Sequence, residues 1–180
     1  MITVVTGKPD SGKSKLAEDI AVSFGGRRYY AATMKVMDGE GQDRVARHQK
    51  AREGKDFITL EVEVDITSIL GRIDDAAESV VLLECMANLT GNEMHTLPMS
   101  DLLQNREDGT EEFADSLCGQ VLRLGRSVRE LIVVTAEYPP EDTDDEDTRL
   151  YKKVLSTVNL RLCAAADRVY DSGSTDNNEF

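Results

Sequence analysis

The sequence predicts an α/β fold: one domain with a mostly parallel central sheet flanked by helices. Three observations carry that expectation. Short apolar runs alternate along the chain with amphipathic or charged segments, the order that returns successive strands through helical crossovers. Two of these runs, Val80 to Leu83 and Leu131 to Thr135, are almost wholly apolar, as in strands covered on both faces. The length of 180 residues holds one substantial core but not two comfortable ones. The domain is expected over 1–171, with a polar tail over 172–180, and no internal repeat is visible.

The first strand, Ile2 to Thr6, runs directly into Gly7-Lys8-Pro9-Asp10-Ser11-Gly12-Lys13-Ser14. A glycine, four residues and then Gly-Lys-Ser, placed between a strand and a helix, is the phosphate-binding loop pattern of a P-loop NTPase fold. Gly7 and Gly12 allow the turns that let successive backbone N–H groups encircle a polyphosphate. Lys13 supplies a cation to the outer phosphates, and the Ser14 hydroxyl suits a Mg²⁺ ligand. Leu16, Ile20 and Phe24, with Ala17 and Ala21, then form one apolar helical face, and the positive end of that helix points at the phosphates. A ligand-free glycine turn is the competing account, and it leaves Lys13 and Ser14 side by side without a reason.

Gly25-Gly26 stops this helix, and Arg28 to Ala32 reads as the second strand. Lys35 to Gln42 is polar with Gly39 and Gly41, and Asp43 to Arg52 is a charged helical segment. Phe57 to Val64 alternates as a strand or edge strand does, and Ile66 to Ala77 carries Ile66, Ile69, Leu70 and Ile73 at helical spacing. After the strand Val80 to Leu83, the stretch His95 to Asp108 shows no clear period and is expected to be mainly loop. From Thr110, a helix is expected with Phe113, Leu117, Val121, Leu124 and Val128 on one face. Leu131 to Thr135 is the next strand. Ala136 to Asp147, with Pro139-Pro140 and a run of acids, cannot be a core element. A last helix from about Glu146 to Ala165 turns Leu150, Val154, Val158 and Leu162 inward, and a short strand at Val169 follows.

Beyond the loop, Glu84 ends a buried strand at the edge where such sheets bind ligands. Its functional reading is the acid that orients the Mg²⁺ water shell; the alternative is a carboxylate that simply reaches solvent. His48 lies in RVARHQKAR, among Arg44, Arg47, Lys50 and Arg52. Neighbouring cations lower the pKa of an imidazole and keep it neutral, which suits a nucleophile attacking phosphorus; a solvated basic helix face explains the same residues. His95 is given no role. The acids from Glu141 to Asp147 read most simply as a solvated loop leading into the last helix, whose dipole Asp145, Glu146 and Asp147 complement.

Composition narrows the partners. The chain carries 21 basic and 34 acidic residues, a net charge of −13, which argues against nucleic acid or an anionic membrane. Cys85, Cys118 and Cys163 are odd in number, widely spaced and without a C-x-x-C pair, so reduced thiols of a cytoplasmic protein are expected. No basic leader followed by an apolar stretch and no membrane-length segment is present in the sequence, so no membrane insertion is expected.

These residues resemble the bifunctional adenosylcobinamide kinase and adenosylcobinamide-phosphate guanylyltransferase family of cobalamin biosynthesis. VTGKPDSGKSKLAE is similar to the family's first strand, loop and helix. YAAT, followed by Asp38, Glu40, Arg44-Val45, His48 and Arg52, keeps the spacing of the segment that bears the family's guanylylated histidine. LLECMANLTGNEM, with Glu84 and Asn92, and VNLRLCAAADRVY, with Asn159, Arg161 and Asp167, extend the likeness over most of the chain. The resemblance implies a two-step enzyme. The amino-alcohol side chain of a corrinoid, adenosylcobinamide, is phosphorylated with ATP or GTP, and GMP then passes from GTP to the product through a histidine matched by His48. It also implies Arg52 and Glu61 as nucleotide-binding residues beside the loop, Lys13 and Glu84 as catalytic ones, and a homotrimer. In two places the chain departs: the family's glycine-containing run after the strand at Leu131 to Thr135 is replaced by AEYPPEDTDDED, in which Glu137 is kept, and its Arg-Pro and tryptophan after the histidine helix are replaced by Arg52-Glu53 and, approximately, Phe57.

Overall fold

The computed structural model of the chain describes residues 1–35, 54–96 and 109–173. Six strands form one sheet: β1 (Ile2–Thr6), β2 (Arg28–Ala32), β3 (Phe57–Glu61), β4 (Val80–Glu84), β5 (Glu130–Val134) and β6 (Arg168–Asp171). Their order in space is β3-β2-β4-β5-β1-β6, and each neighbouring pair is parallel, so the expected mostly parallel sheet is wholly parallel among the described strands. The helices are α1 (Lys13–Ser23), α2 (Met86–Thr96), α3 (Gly109–Ser127) and α4 (Glu146–Ala165).

The two-residue period of the strands sorts the core into two layers. Val5, Val80, Leu82, Ile132 and Val134 pack with Ala17 and Ala21 of α1. Ile2, Val4, Val81, Leu83, Leu131 and Val133 face the other way, against α2, α3 and α4. On that side α3 approaches so closely that a Cβ added at Gly125 would lie 2.6 Å from both Cγ1 and Cδ1 of Ile2. The buried central strands explain their unbroken apolar sequence.

Order and layering together create a crevice. β1 and β5 are neighbours, yet the chain leaves β1 for α1 on one face and leaves β5 for α4 on the other. Where connections from adjacent parallel strands leave on opposite faces in this way, a crevice forms outside the carboxyl ends of the strands, and a ligand can bind there.

Two elements differ from expectation. Met86–Thr96 is helical and begins one residue after β4, so His95, expected in a loop, lies in the last turn of α2; residues 97–108 fall outside those described. No turn residue separates strand from helix here, and Thr90 and Gly91 interrupt the apolar spacing that would have marked it. Between Ile66 and Ala77 the chain forms two 3₁₀ segments, Ile66–Arg72 and Ala76–Glu78, in place of one helix. Ile66 and Ile69 are three apart and both fully buried, a spacing that a 3₁₀ turn satisfies. Asp65 and Asp75, each with positive φ, begin the two segments. The strand expected at Phe57 to Val64 is the shorter edge strand β3. The polar and charged segments expected from Lys35 to Arg52 lie, beyond residue 35, outside the described residues.

Candidate active site

β1 delivers the glycine loop to the mouth of the crevice. Gly7 has φ 142°, and a Cβ there would collide with the hydroxyls of Ser172 and Ser11, so both conformation and space exclude a side chain. Gly12, at φ 83°, takes the left-handed turn from which α1 starts, and its carbonyl accepts from Leu16 N at 3.1 Å. Lys13 Nζ donates to Lys8 O at 2.8 Å across the loop, and Ser11 N donates to the same oxygen at 3.3 Å. Ser172, just past β6, binds the loop from outside: its hydroxyl lies 2.5 Å from that of Ser11, and its N–H donates to Thr6 O. Lys8, Pro9 and Asp10 are exposed at the loop tip, while Ser11, Lys13 and Ser14 are half-buried.

Ser14, in the first turn of α1, donates its hydroxyl to Glu84 Oε1 at 2.5 Å. The other carboxylate oxygen, Oε2, is buried and has no hydrogen-bond partner among the described residues. A carboxyl oxygen held out of water is costly to leave without a partner. A hard divalent cation beside these oxygens answers that cost, and the donor set fits Mg²⁺, which takes one or two protein oxygens and completes its shell with phosphate and water. No group of three or more His, Cys, Asp or Glu that could hold a metal ion occurs among the described residues.

The end of β4 is fixed by a residue that sequence reasoning met only within the motif YAAT. Buried Thr33 accepts from Cys85 N at 2.7 Å and donates to Cys85 O at 2.9 Å, and its own N–H donates to Glu84 O. Burial pushes the Cys85 thiol up, against a partly offsetting hydrogen bond from the backbone of Asn88, which keeps it a neutral thiol and not a nucleophile.

The opposite wall is the end of β5. Thr135 N donates to Val5 O, and Glu137 N donates to Gly7 O, continuing the β1–β5 ladder past the strand ends. Asn159 of α4 clamps this segment by accepting from Thr135 Oγ1 at 2.6 Å and donating to Ala136 O at 2.9 Å. Further out, Lys152 gathers the acidic run: its ammonium donates to Pro139 O and to both oxygens of Asp144, at 2.9 and 2.7 Å. Asp145 caps α4 by accepting from Thr148 N at 2.7 Å, with Glu146 and Asp147 in the first turn. Lys152 holds the Asp144 carboxyl below the ordinary range, and the Thr148 bonds do the same for Asp145. The acids thus serve the loop and the helix start, as the simpler of the two sequence readings has it.

The structure therefore brings together the loop, Lys13, Ser14 and Glu84. Glu61 stands apart, exposed at the end of β3, with β2, β4 and β5 between it and the loop strand. His48 and Arg52 lie outside the described residues. Asn159 and Ser172 are structural partners of the site that sequence periodicity could not single out, because their bonds join segments far apart in the chain. No helix among the described residues is long and apolar enough to cross a membrane.

Individual curated proteins give no match to the chain. The family model of cobinamide kinase / cobinamide phosphate guanyltransferase, however, matches residues 3–173, a span that runs from β1 to just beyond β6 and includes both walls of the crevice. A match of that extent, over a sheet that presents a phosphate loop to a strand-end acid, establishes that the chain belongs to the cobinamide kinase / cobinamide phosphate guanyltransferase family.

Proposed function

We propose that this protein phosphorylates the amino-alcohol side chain of adenosylcobinamide with ATP or GTP, and then transfers GMP from GTP to that product through His48. The observation that carries the first step is the Ser14–Glu84 pair behind the glycine loop, with one Glu84 oxygen buried and unpartnered. The loop backbone and Lys13 hold the β and γ phosphates and stabilise the charge that develops as the phosphoryl group moves. Ser14 and Glu84 hold Mg²⁺, whose charge offsets that of the phosphates when it is bound.

In the second step His48 attacks the α-phosphorus of GTP, pyrophosphate leaves, and a phosphoramidate links GMP to the histidine. The phosphate of the corrinoid product then displaces the imidazole. The basic residues Arg44, Arg47, Lys50 and Arg52 near His48 in sequence suit the triphosphate, and the family likeness assigns Arg52 to nucleotide binding together with Glu61, which lies apart from the phosphate loop at the end of β3. By analogy with the family, the protein works as a cytoplasmic homotrimer.

One observation favours a second reading, a kinase without guanylyl transfer. Where the family has glycines after β5, this chain has Pro139-Pro140, and Lys152 pins that segment to α4. Proline fixes φ and removes an N–H donor, so the backbone cannot approach a ligand there as glycine would. The test is to incubate the protein with Mg²⁺ and GTP labelled at the α-phosphate, denature it and measure intact mass, with His48→Ala alongside. An acid-labile GMP adduct on the parent and none on the variant is expected. An adduct that survives in the variant rules out His48; no adduct on a parent that still phosphorylates adenosylcobinamide establishes the kinase-only reading.

A further inference from the structure

The crevice is bordered by two carboxylates, and only one of them is engaged with the phosphate loop's helix. Glu84 shares the strand alternation of Val80 and Leu82, faces the α1 layer and meets Ser14. Glu137 lies on the opposite side. Thr6 follows the alternation of Ile2 and Val4 toward the layer of α3 and α4, and its hydroxyl donates to Glu137 Oε1 at 3.0 Å. The Cys163 thiol of α4, raised first by burial, is raised further by the negative charge of Glu137, which places that charge on the α4 side.

We infer that Glu137 is the general base of the phosphoryl-transfer step, accepting the proton of the acceptor hydroxyl as that oxygen attacks the γ-phosphorus. This inference rests on the kinase reading above. Three features of the geometry support it. The Glu137 N–H bonds to Gly7 O, the first residue of the phosphate loop, at 3.2 Å, so the Glu137 backbone lies directly beside the start of that loop. Its position is held on two sides, by Thr6 and by the Asn159 clamp on the two preceding residues. It is exposed and forms no ion pair among the described residues, so its second oxygen remains open to an incoming hydroxyl.

In the step itself, the hydroxyl oxygen bonds to the γ-phosphorus while the bond from that phosphorus to the β-bridging oxygen breaks. The electron pair stays on the departing nucleoside diphosphate, and the hydroxyl proton goes to Glu137.

The isosteric change Glu137→Gln tests this, because the amide oxygen can still accept from Thr6 while the base is lost. With adenosylcobinamide and Mg²⁺–ATP, the Gln variant is expected to lose kcat by about 10²–10³-fold, with nucleotide affinity measured by equilibrium titration within about twofold of the parent. Glu137→Asp, which keeps a shorter carboxylate, is expected to fall between the two. A Gln variant with kcat within about threefold of the parent overturns the assignment. So does a loss of kcat matched by an equal loss of nucleotide affinity, which would make Glu137 a support of the loop. A parent that binds nucleotide but phosphorylates no cobinamide overturns the kinase reading, and this inference with it.

Discussion

The two walls of the crevice are held by different means. On the α1 side the phosphate loop is tied within itself: Lys13 reaches Lys8, Ser11 reaches Lys8, and two glycines adopt positive φ. The strand-end acid Glu84 is then presented by a rigid central strand whose neighbours are paired residue by residue. On the α4 side, the segment after β5 has no such local scaffold. It is held from α4, by Asn159 at its root and Lys152 farther out, and from β1, by Gly7 O and Thr6. The difference teaches that chemistry on the first wall should be governed above all by its own charges, whereas the second wall should lose order and activity together when a distant anchor is cut.

The largest effect is expected at Glu84. Glu84→Gln keeps the shape and the Ser14 partner but removes the charge. Phosphorylation of cobinamide by Mg²⁺–ATP should fall by about 10²–10³-fold while thermal stability hardly moves, the magnitude seen when one preorganised electrostatic contact is lost. Steady-state kinetics beside a melting curve checks it. Turnover within about threefold of the parent would remove Glu84 from the site and break the contrast.

Next is Asn159→Ala. It leaves the Thr135 hydroxyl and the Ala136 carbonyl without their partner in a half-buried place, at a cost of about 1–3 kcal/mol. Denaturant unfolding should show that loss, and the kinase rate should fall with it as the Glu137 segment loosens. A variant that is destabilised yet fully active would mean that the second wall is not positioned by α4.

The smallest effect concerns Asp144. Its carboxyl is held below the ordinary value of 3.8 by Lys152, so its contribution to stability is present above that ordinary value and disappears as pH falls through the lowered one. Asp144→Asn should therefore melt below the parent at neutral pH, and the gap should close as the pH drops below about 4. Melting temperatures across that range decide the matter; a gap independent of pH would show that the Lys152 anchor is not electrostatic.

How much of this was legible beforehand differs between the walls for a physical reason. The glycine loop, Lys13, Ser14 and the strand-end Glu84 are adjacent in sequence to patterns with a single structural meaning, and the family likeness found over most of the chain agrees with the match over 3–173. The acidic run was legible too, since Asp145 and the acids after it suit a helix start wherever that helix packs. Helix α2 was hidden because no turn residue announces it, and the 3₁₀ pair because i, i+3 spacing also fits an α-helix.

By itself, then, the sequence determined the alternation of strands and helices, the buried central strands and the phosphate loop, because each depends on short-range periodicity and on glycine's freedom of φ. Only the tertiary structure decided that β5 enters between β1 and β4, that α1 and α4 leave on opposite faces, and that Glu84 meets Ser14 while Glu137 meets Thr6. Strand order and facing are settled by which apolar surfaces bury one another over long separations, and no local pattern encodes that choice.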